Sequence, residues 1–303
     1  MRKTIASTLY DAALNDSSVV LLTADLAESV GFEQVRQNLP AQFVECGIAE
    51  QQMMSMAAGF ALSGKKPFAG SYAAFHPGRN WDQLRTSVCY NHAPVRILSS
   101  HYGLNVGGDG ATHQCLEYFA LTLSLPNLRV LSPFNTHSAV WSVQQALLEN
   151  HYPTVIFQPR SEHAVAIDVL EESSFSQDGF SLLSHPDEAT TLIITTGLIA
   201  EEAMSVYTTG DKPCDLACLV DITSFDREKL AKLIYKYSRI VIVEEHQEFG
   251  GIGSLIFGIM ARYKLSKDVR HICVKQKFGK SAIDGKDLWS KYKIDSKTIA
   301  QHV

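Results

Sequence analysis

The strongest constraint on how this chain folds is a repeated alternation of short apolar runs with helical patterns. Residues 19–23, 67–72, 95–100, 128–132 and 155–158 each read as a buried strand. Between them, 51–63, 79–91, 114–124 and 137–150 carry apolar residues at helical spacing. Strands apolar on both faces and separated by helices predict an α/β fold, a parallel sheet covered on both sides. We end this unit at residue 165. Residues 166–187 are polar and turn-rich, with Ser173-Ser-Phe-Ser-Gln-Asp-Gly179 as the clearest example, and read as a surface linker. A second α/β series occupies 188–303, with strands at 190–196, 216–222, 240–244 and 272–275. Its helices fall at 199–208 and 226–237, and Gly250-Gly-Ile-Gly-Ser254 opens another. A polar helical tail follows from 276.

The length of 303 residues suits two domains of ordinary size. A formal charge of −5 without a long basic run gives no support to binding of nucleic acid or of an anionic membrane. No apolar run reaches membrane-spanning length. Residues 1–10 are basic and amphipathic but lack the apolar core of a signal peptide. The six cysteines lie mostly in apolar runs with no Cys-x-x-Cys pair, which predicts buried free thiols and a cytoplasmic location.

Four stretches carry candidate chemistry. Glu50 follows an apolar run and a Gly, at the start of a helix rich in small residues (Ala57-Ala58-Gly59, Ala61). A carboxylate there is stabilised by the helix N-terminus whatever else it does. The small-residue face suits a close helix or subunit contact, or an ordinary core. The loop from His101 to His113 is glycine-rich with Asp109 between the two histidines, either a phosphate cradle or a plain surface loop. Tyr72 and Phe75 leave a strand end where they either sandwich a ring or fill the core. Arg160 stands just past a buried strand, placed to bind phosphate or carboxylate bidentately or to be a surface charge.

Taken together and in order, the motifs resemble the C-terminal half of transketolase. The shared text is Gly-Ile-Ala-Glu-Gln at 47–51, Gly-Lys-Lys-Pro-Phe at 64–68 and Pro-Gly-Arg-Asn-Trp-Asp-Gln at 77–83. It continues with Asp-Gly-Ala-Thr-His-Gln at 109–114, Pro-Asn-Leu-Arg-Val at 126–130, and Val243-Glu-Glu-His246 before the 250–254 glycine run. The form it is most similar to is the separate C-terminal subunit of a split transketolase. The resemblance implies a thiamine-diphosphate-binding, pyrimidine-type domain followed by a transketolase C-terminal domain. It places Glu50 on the glutamate that meets N1′ of the cofactor's aminopyrimidine, where a carboxyl can share a proton with a ring nitrogen. Tyr72 and Phe75 fall where aromatic residues pack on that ring, and Asp25 on an acid near the cofactor. His101 and Arg160 fall on sugar-phosphate ligands, Asp109 on a group that bonds a sugar hydroxyl, and His113 on a donor or proton shuttle at the reacting oxygens. His246 is read as structural.

Gly108-Asp-Gly110 followed by Asn135 mimics the spacing of a diphosphate–metal motif. The surrounding residues match the sugar loop instead, so no metal ligand is expected in this chain. Mg²⁺ or Ca²⁺ and the diphosphate would then belong to an N-terminal-half partner, in an α2β2 assembly acting on sugar phosphates. Tyr102 replaces a usual small residue beside the sugar channel, where its bulk either narrows the channel or changes acceptor preference; Tyr118 and Phe134-Asn135 are further departures. The alternatives are the β subunit of a 2-oxo-acid dehydrogenase E1 component and a non-catalytic partner subunit of the same fold.

Overall fold

The computed structural model describes residues 1–162 and 165–303. The first domain contains α1 (Arg2–Asn15), β1 (Val19–Thr23), α2 (Ala27–Val30), α3 (Glu33–Asn38), β2 (Phe43–Glu45) and α4 (Glu50–Leu62). It continues with β3 (Lys66–Tyr72), α5 (Trp81–Gln83), β4 (Arg96–Ser100), α6 (Tyr118–Leu123), β5 (Arg129–Leu131), α7 (Thr136–Leu148) and β6 (Thr154–Gln158). Every strand pairing is parallel, in the order β2-β1-β3-β4-β6-β5. Successive side chains of a strand face opposite sides, so each strand feeds two cores. Leu21, Phe68, Leu98 and Ile156 pack with Ile5 and Leu9 of α1 and Trp141 of α7. Leu22, Ala69, Ile97 and Val155 pack with Met53, Met54, Ala57 and Ala61 of α4.

The expected helix over 79–91 is present as α5 continued by a π-helical stretch, Leu84–Cys89. The one over 114–124 starts later, at Tyr118, because Cys115 instead forms a parallel bridge with Tyr102.

The second domain contains β7 (Phe180–Leu183), β8 (Thr191–Thr196), α8 (Ala200–Thr209), β9 (Cys214–Leu219), α9 (Arg227–Tyr235), β10 (Arg239–Gln247), α10 (Ile252–Arg262), β11 (Asp268–Val274), α11 (Asp287–Tyr292) and α12 (Ser296–Ala300). Its sheet runs β11-β10-β8-β9-β7, with β7 antiparallel to β9. The linker reading of 166–187 is corrected here. Phe180–Leu183 is the edge strand of the second sheet, and Ile167, Leu170, Phe175 and Phe180 are buried. Short apolar patches separated by Ser and Asp hid it, since an edge strand needs only one apolar face.

The two sheets share their cores. Ile193, Leu216 and Val241 join the α1/α7 cluster, and Leu192, Ile194 and Ile240 join the α4 cluster. All six cysteines are free, five of them buried. No helix among the described residues is long and apolar enough to cross a membrane.

Candidate active site at the carboxyl ends of the first sheet

The chain leaves β1 for β2 on one side, then crosses back through α4 to β3 on the other. An α/β sheet binds ligands at such a reversal, beyond the carboxyl ends of its strands. Gly47 makes the turn out of β2 at φ +66, a left-handed conformation that disfavours a side chain, and Ala49 N–H closes it on the Gly47 carbonyl at 2.7 Å. That turn swings Glu50 into the first turn of α4, where it is only 2% exposed.

The Glu50 carboxylate is ion-paired. Arg79 Nη1 donates to its Oε2 at 2.7 Å, and the Arg79 guanidinium lies over the Phe75 ring, 4.4 Å from its centre. Asn80 Nδ2 donates to the Glu50 carbonyl at 2.9 Å and to His76 Nδ1 at 2.8 Å. His76 Nε2 is bonded to the Ala69 carbonyl at 2.9 Å, so a buried polar chain anchors the helix start to β3. Burial pushes the His76 imidazole down to about 4. Arg79 lies within the shared motif text but carries no expected role from it; an exposed-looking Arg gives no sign of its partner 29 residues away.

Tyr72 ends β3, and His101 follows β4 in the left-handed region at φ +57. Their rings stack at 4.0 Å between centres, and Ser100 Oγ lies 2.7 Å from His101 Nδ1. His113 comes back from the glycine loop edge-on to Phe75 at 5.3 Å and to Tyr72 at 6.1 Å. Tyr72, Phe75, His101 and His113, drawn from three separate stretches of sequence, thus form one ring cluster, tied to Glu50 through Arg79. Burial, with Arg2, Arg160 and His113 adding positive field, pushes the His101 imidazole down to about 3. Both causes favour the neutral imidazole as a hydrogen-bonding group.

Arg160 Nη1 lies 3.9 Å from Asp109 Oδ2, with both side chains over 40% exposed. A pair so open to water contributes little, roughly 0–1 kcal/mol, and Arg160 Nη1 is held instead by the Val106 carbonyl, to which it donates. Arg2 Nη1 donates to the Ser29 carbonyl at 3.4 Å, and its charge adds to the field on His101. Sequence reasoning missed Arg2, because the first helix reads only as amphipathic packing. Asp25 stands one strand away at the end of β1. It is exposed, at φ +60, with its N–H donating to Glu45 Oε1 at 2.7 Å. It lines a separate polar cleft with Glu28, Glu33 and Arg36, and the structure does not bring it against the aromatic rings.

One expectation changes. Tyr102 does not narrow a channel: it is 1% exposed, and its hydroxyl accepts from Leu198 N–H of the second domain at 3.0 Å. Tyr118 is likewise buried, 4.8 Å from the Tyr102 ring. Asn135 has its amide fully engaged as the α7 cap. Its Oδ1 accepts from Ser138 N–H at 2.8 Å, and its Nδ2 donates to the carbonyls of Ile167 and Leu170. His246 is buried, and its Nε2 accepts from Ala120 N–H at 3.3 Å. No cluster of three His, Cys, Asp or Glu side chains fit to hold a metal occurs among the described residues.

A buried acid on a helix N-terminus and a cluster of aromatic and imidazole rings stand together at the carboxyl ends of the first sheet of a doubly wound α/β protein. The chain belongs to the transketolase family: residues 1–164 match the family model for the transketolase pyrimidine binding domain, and 183–299 that for the transketolase C-terminal domain. It is 30% identical to a protein described as a putative transketolase C-terminal section in Methanocaldococcus jannaschii, spanning 100% of this chain and 95% of that one. It is 32% identical to one subunit of the apulose-4-phosphate transketolase of Phocaeicola vulgatus, over 84% of this chain and 81% of the relative. The 1-deoxy-D-xylulose-5-phosphate synthase of Caldanaerobacter subterraneus is 29% identical over 98% of this chain, which spans only 47% of that enzyme. Among solved structures, a split-gene transketolase described as an inactive β4 tetramer superposes with a TM-score of 0.86 at 26% identity, covering 99% of this chain and 96% of that one.

Proposed function

We propose that this chain is the pyrimidine-binding, C-terminal-half subunit of a thiamine-diphosphate-dependent transketolase. It works with a separate N-terminal-half subunit, in a cytoplasmic α2β2 assembly, to move a two-carbon ketol unit from a ketose phosphate to an aldose phosphate. Residues 1–165 serve as the pyrimidine-binding domain and 188–303 as the C-terminal domain, with β7 in the intervening stretch joined to the second sheet. The observation that carries the reading is the convergence of Glu50, the Tyr72/Phe75 rings and the His101, His113, Asp109 and Arg160 set on one sheet end. The donors present fit the aminopyrimidine end of the cofactor: one buried carboxylate beside aromatic faces. The diphosphate and its Mg²⁺ or Ca²⁺ are assigned to the partner, since Asn135 is spent on a helix cap.

When bound, thiamine diphosphate supplies the carbon nucleophile that breaks and remakes the C–C bond. In this reading Glu50 holds a proton against a ring nitrogen, and Arg79 keeps the acid oriented from the Phe75 side. Tyr72 and Phe75 exclude water and fix the ring plane. Asp25, set in its own cleft at the end of β1, is given no direct contact with the ring. Neutral His101 donates to the substrate, while Arg160, with Arg2, binds the phosphate through charge-assisted hydrogen bonds. Asp109 accepts from a sugar hydroxyl, and His113 donates to the reacting oxygen.

The test is reconstitution. The two subunits with thiamine diphosphate, Mg²⁺, a ketose phosphate and an aldose phosphate should turn over. Glu50→Gln should keep the fold, read by circular dichroism, and lose at least about 100-fold in kcat. Turnover by this chain alone would sink the divided site, and the relative solved as an inactive β4 tetramer supports its idleness. A second reading, formation of a 1-deoxyketose phosphate, is favoured by the 1-deoxy-D-xylulose-5-phosphate synthase relative. With a 2-oxo acid replacing the ketose phosphate as donor, a 1-deoxyketose phosphate formed from the aldose phosphate with release of CO₂ would select it. Release of CO₂ from a 2-oxo acid with no 1-deoxyketose phosphate formed would select the dehydrogenase E1 reading. Assembly with the partner but without cofactor would select the non-catalytic one.

A further inference from the structure

Glu245 lies on β10 of the C-terminal domain, yet its carboxylate is buried against the first domain. Its Oε1 accepts from Leu104 N–H at 2.6 Å, Asn105 N–H at 2.9 Å and Trp289 Nε1 of α11 at 2.9 Å. Asn105 Nδ2 approaches its Oε2 at 3.4 Å and donates to the Tyr102 carbonyl at 2.7 Å. Asn105 then reaches the other way: its Oδ1 accepts from Arg160 N–H at 2.9 Å. The approach is close enough to demand a glycine. Gly103 sits at φ +72, and a Cβ there would lie 2.5 Å from the Glu245 carboxyl carbon. Gly103 N–H is held by the Cys115 carbonyl at 2.9 Å, so the loop is clamped from both sides.

We infer that Glu245 is a positioning residue: the C-terminal domain uses it to fix the 103–105 backbone and, through Asn105, the Arg160 main chain. Two arms of the candidate sugar-phosphate site, the His101–Asp109 loop and Arg160, are thereby set from a domain that contributes no ligand itself. A buried carboxylate accepting three N–H donors is a stiff anchor, because losing it strands those donors away from water. This rests on the reading of Asp109 and Arg160 as sugar-phosphate ligands. It separates from general stability by what it does to the substrate: with the ketose phosphate donor held saturating, only the phosphorylated one of two acceptors depends on Arg160.

The experiment compares wild type, Glu245→Ala and Glu245→Gln in the complex with the diphosphate-binding subunit, using ribose 5-phosphate and unphosphorylated ribose as acceptors. Expected for Glu245→Ala is a rise in KM for ribose 5-phosphate of roughly 10-fold or more, with kcat and the weak use of ribose changed by less than about 3-fold. Glu245→Gln, whose carbonyl still accepts, should recover most of the affinity. If Glu245→Ala does not fold, Glu245→Asp, which retracts the carboxylate by one methylene, should show the same selective loss. Equal effects on both acceptors, or none, overturn the inference. A wild-type complex inactive on both sugars fails the functional reading instead. Hydrogen exchange on the chain by itself tests the clamp independently of turnover. The Leu104 and Asn105 amides should exchange at least about 10-fold faster in the Ala or Asp variant, and unchanged exchange overturns the clamp.

Discussion

Replacing Tyr102 by Phe separates a channel residue from a domain tie. The Tyr102 ring is 1% exposed and packs on Tyr118 at 4.8 Å and Phe157 at 5.8 Å, contacts that Phe retains. Only the hydroxyl is lost, and with it the acceptor for Leu198 N–H at 3.0 Å. Gly197 leaves no slack for rearrangement, since a Cβ there would sit 2.6 Å from the hydroxyl. A buried amide left without a partner costs about 1–3 kcal/mol. No cavity term of consequence adds to it, because one oxygen is removed from a packed wall. The assay is urea unfolding of the chain followed by tryptophan fluorescence, with Trp289 reporting the same domain boundary. The midpoint should fall with little change in slope, and acceptor preference in the assembled enzyme should be unaltered. Stability within about 0.5 kcal/mol of wild type, together with a changed preference between short and long acceptors, would refute the placement and return Tyr102 to the channel.

Asn135→Ala removes a helix cap and two further hydrogen bonds, and should cost about 2–3 kcal/mol in unfolding experiments. It should leave the Mg²⁺ requirement of the assembled enzyme unchanged, and a raised requirement would make Asn135 a ligand. Buried His76, held near 4 against about 6.5 when unfolded, makes the unfolded chain bind the extra proton in acid, so its contribution to stability is lost as pH falls below about 6.5. The unfolding free energy of wild type relative to His76→Gln should therefore drop by about 2 kcal/mol between pH 7 and 5. Comparing the two proteins cancels the opposite trend of Glu245, which burial raises to about 7. A pH-independent difference would mean that His76 is solvated.

The sheet was legible because its strands are apolar on both faces and each ends in a turn, a pattern that survives without any partner. The ring cluster was half legible. Tyr72, Phe75, His101 and His113 stand out as separate candidates, but nothing in their spacing says that two strand ends and the glycine loop bring them together. Arg2 and Arg79 escape notice because a cation's function depends on which acid or anion it faces. Here that is settled by residues far along the chain.

Periodicity and motif text thus determined two α/β series, a carboxylate at a helix start and the membership of a family, since these depend on local backbone preference and residue identity. Tertiary structure alone decided three things: that Phe180–Leu183 completes the second sheet, that Tyr102 faces the domain boundary rather than a channel, and that Glu245 holds the loop beside Asp109. Each depends on which group lies within about 3 Å across a long sequence gap, where hydrogen bonds act. One-dimensional order does not carry that distance.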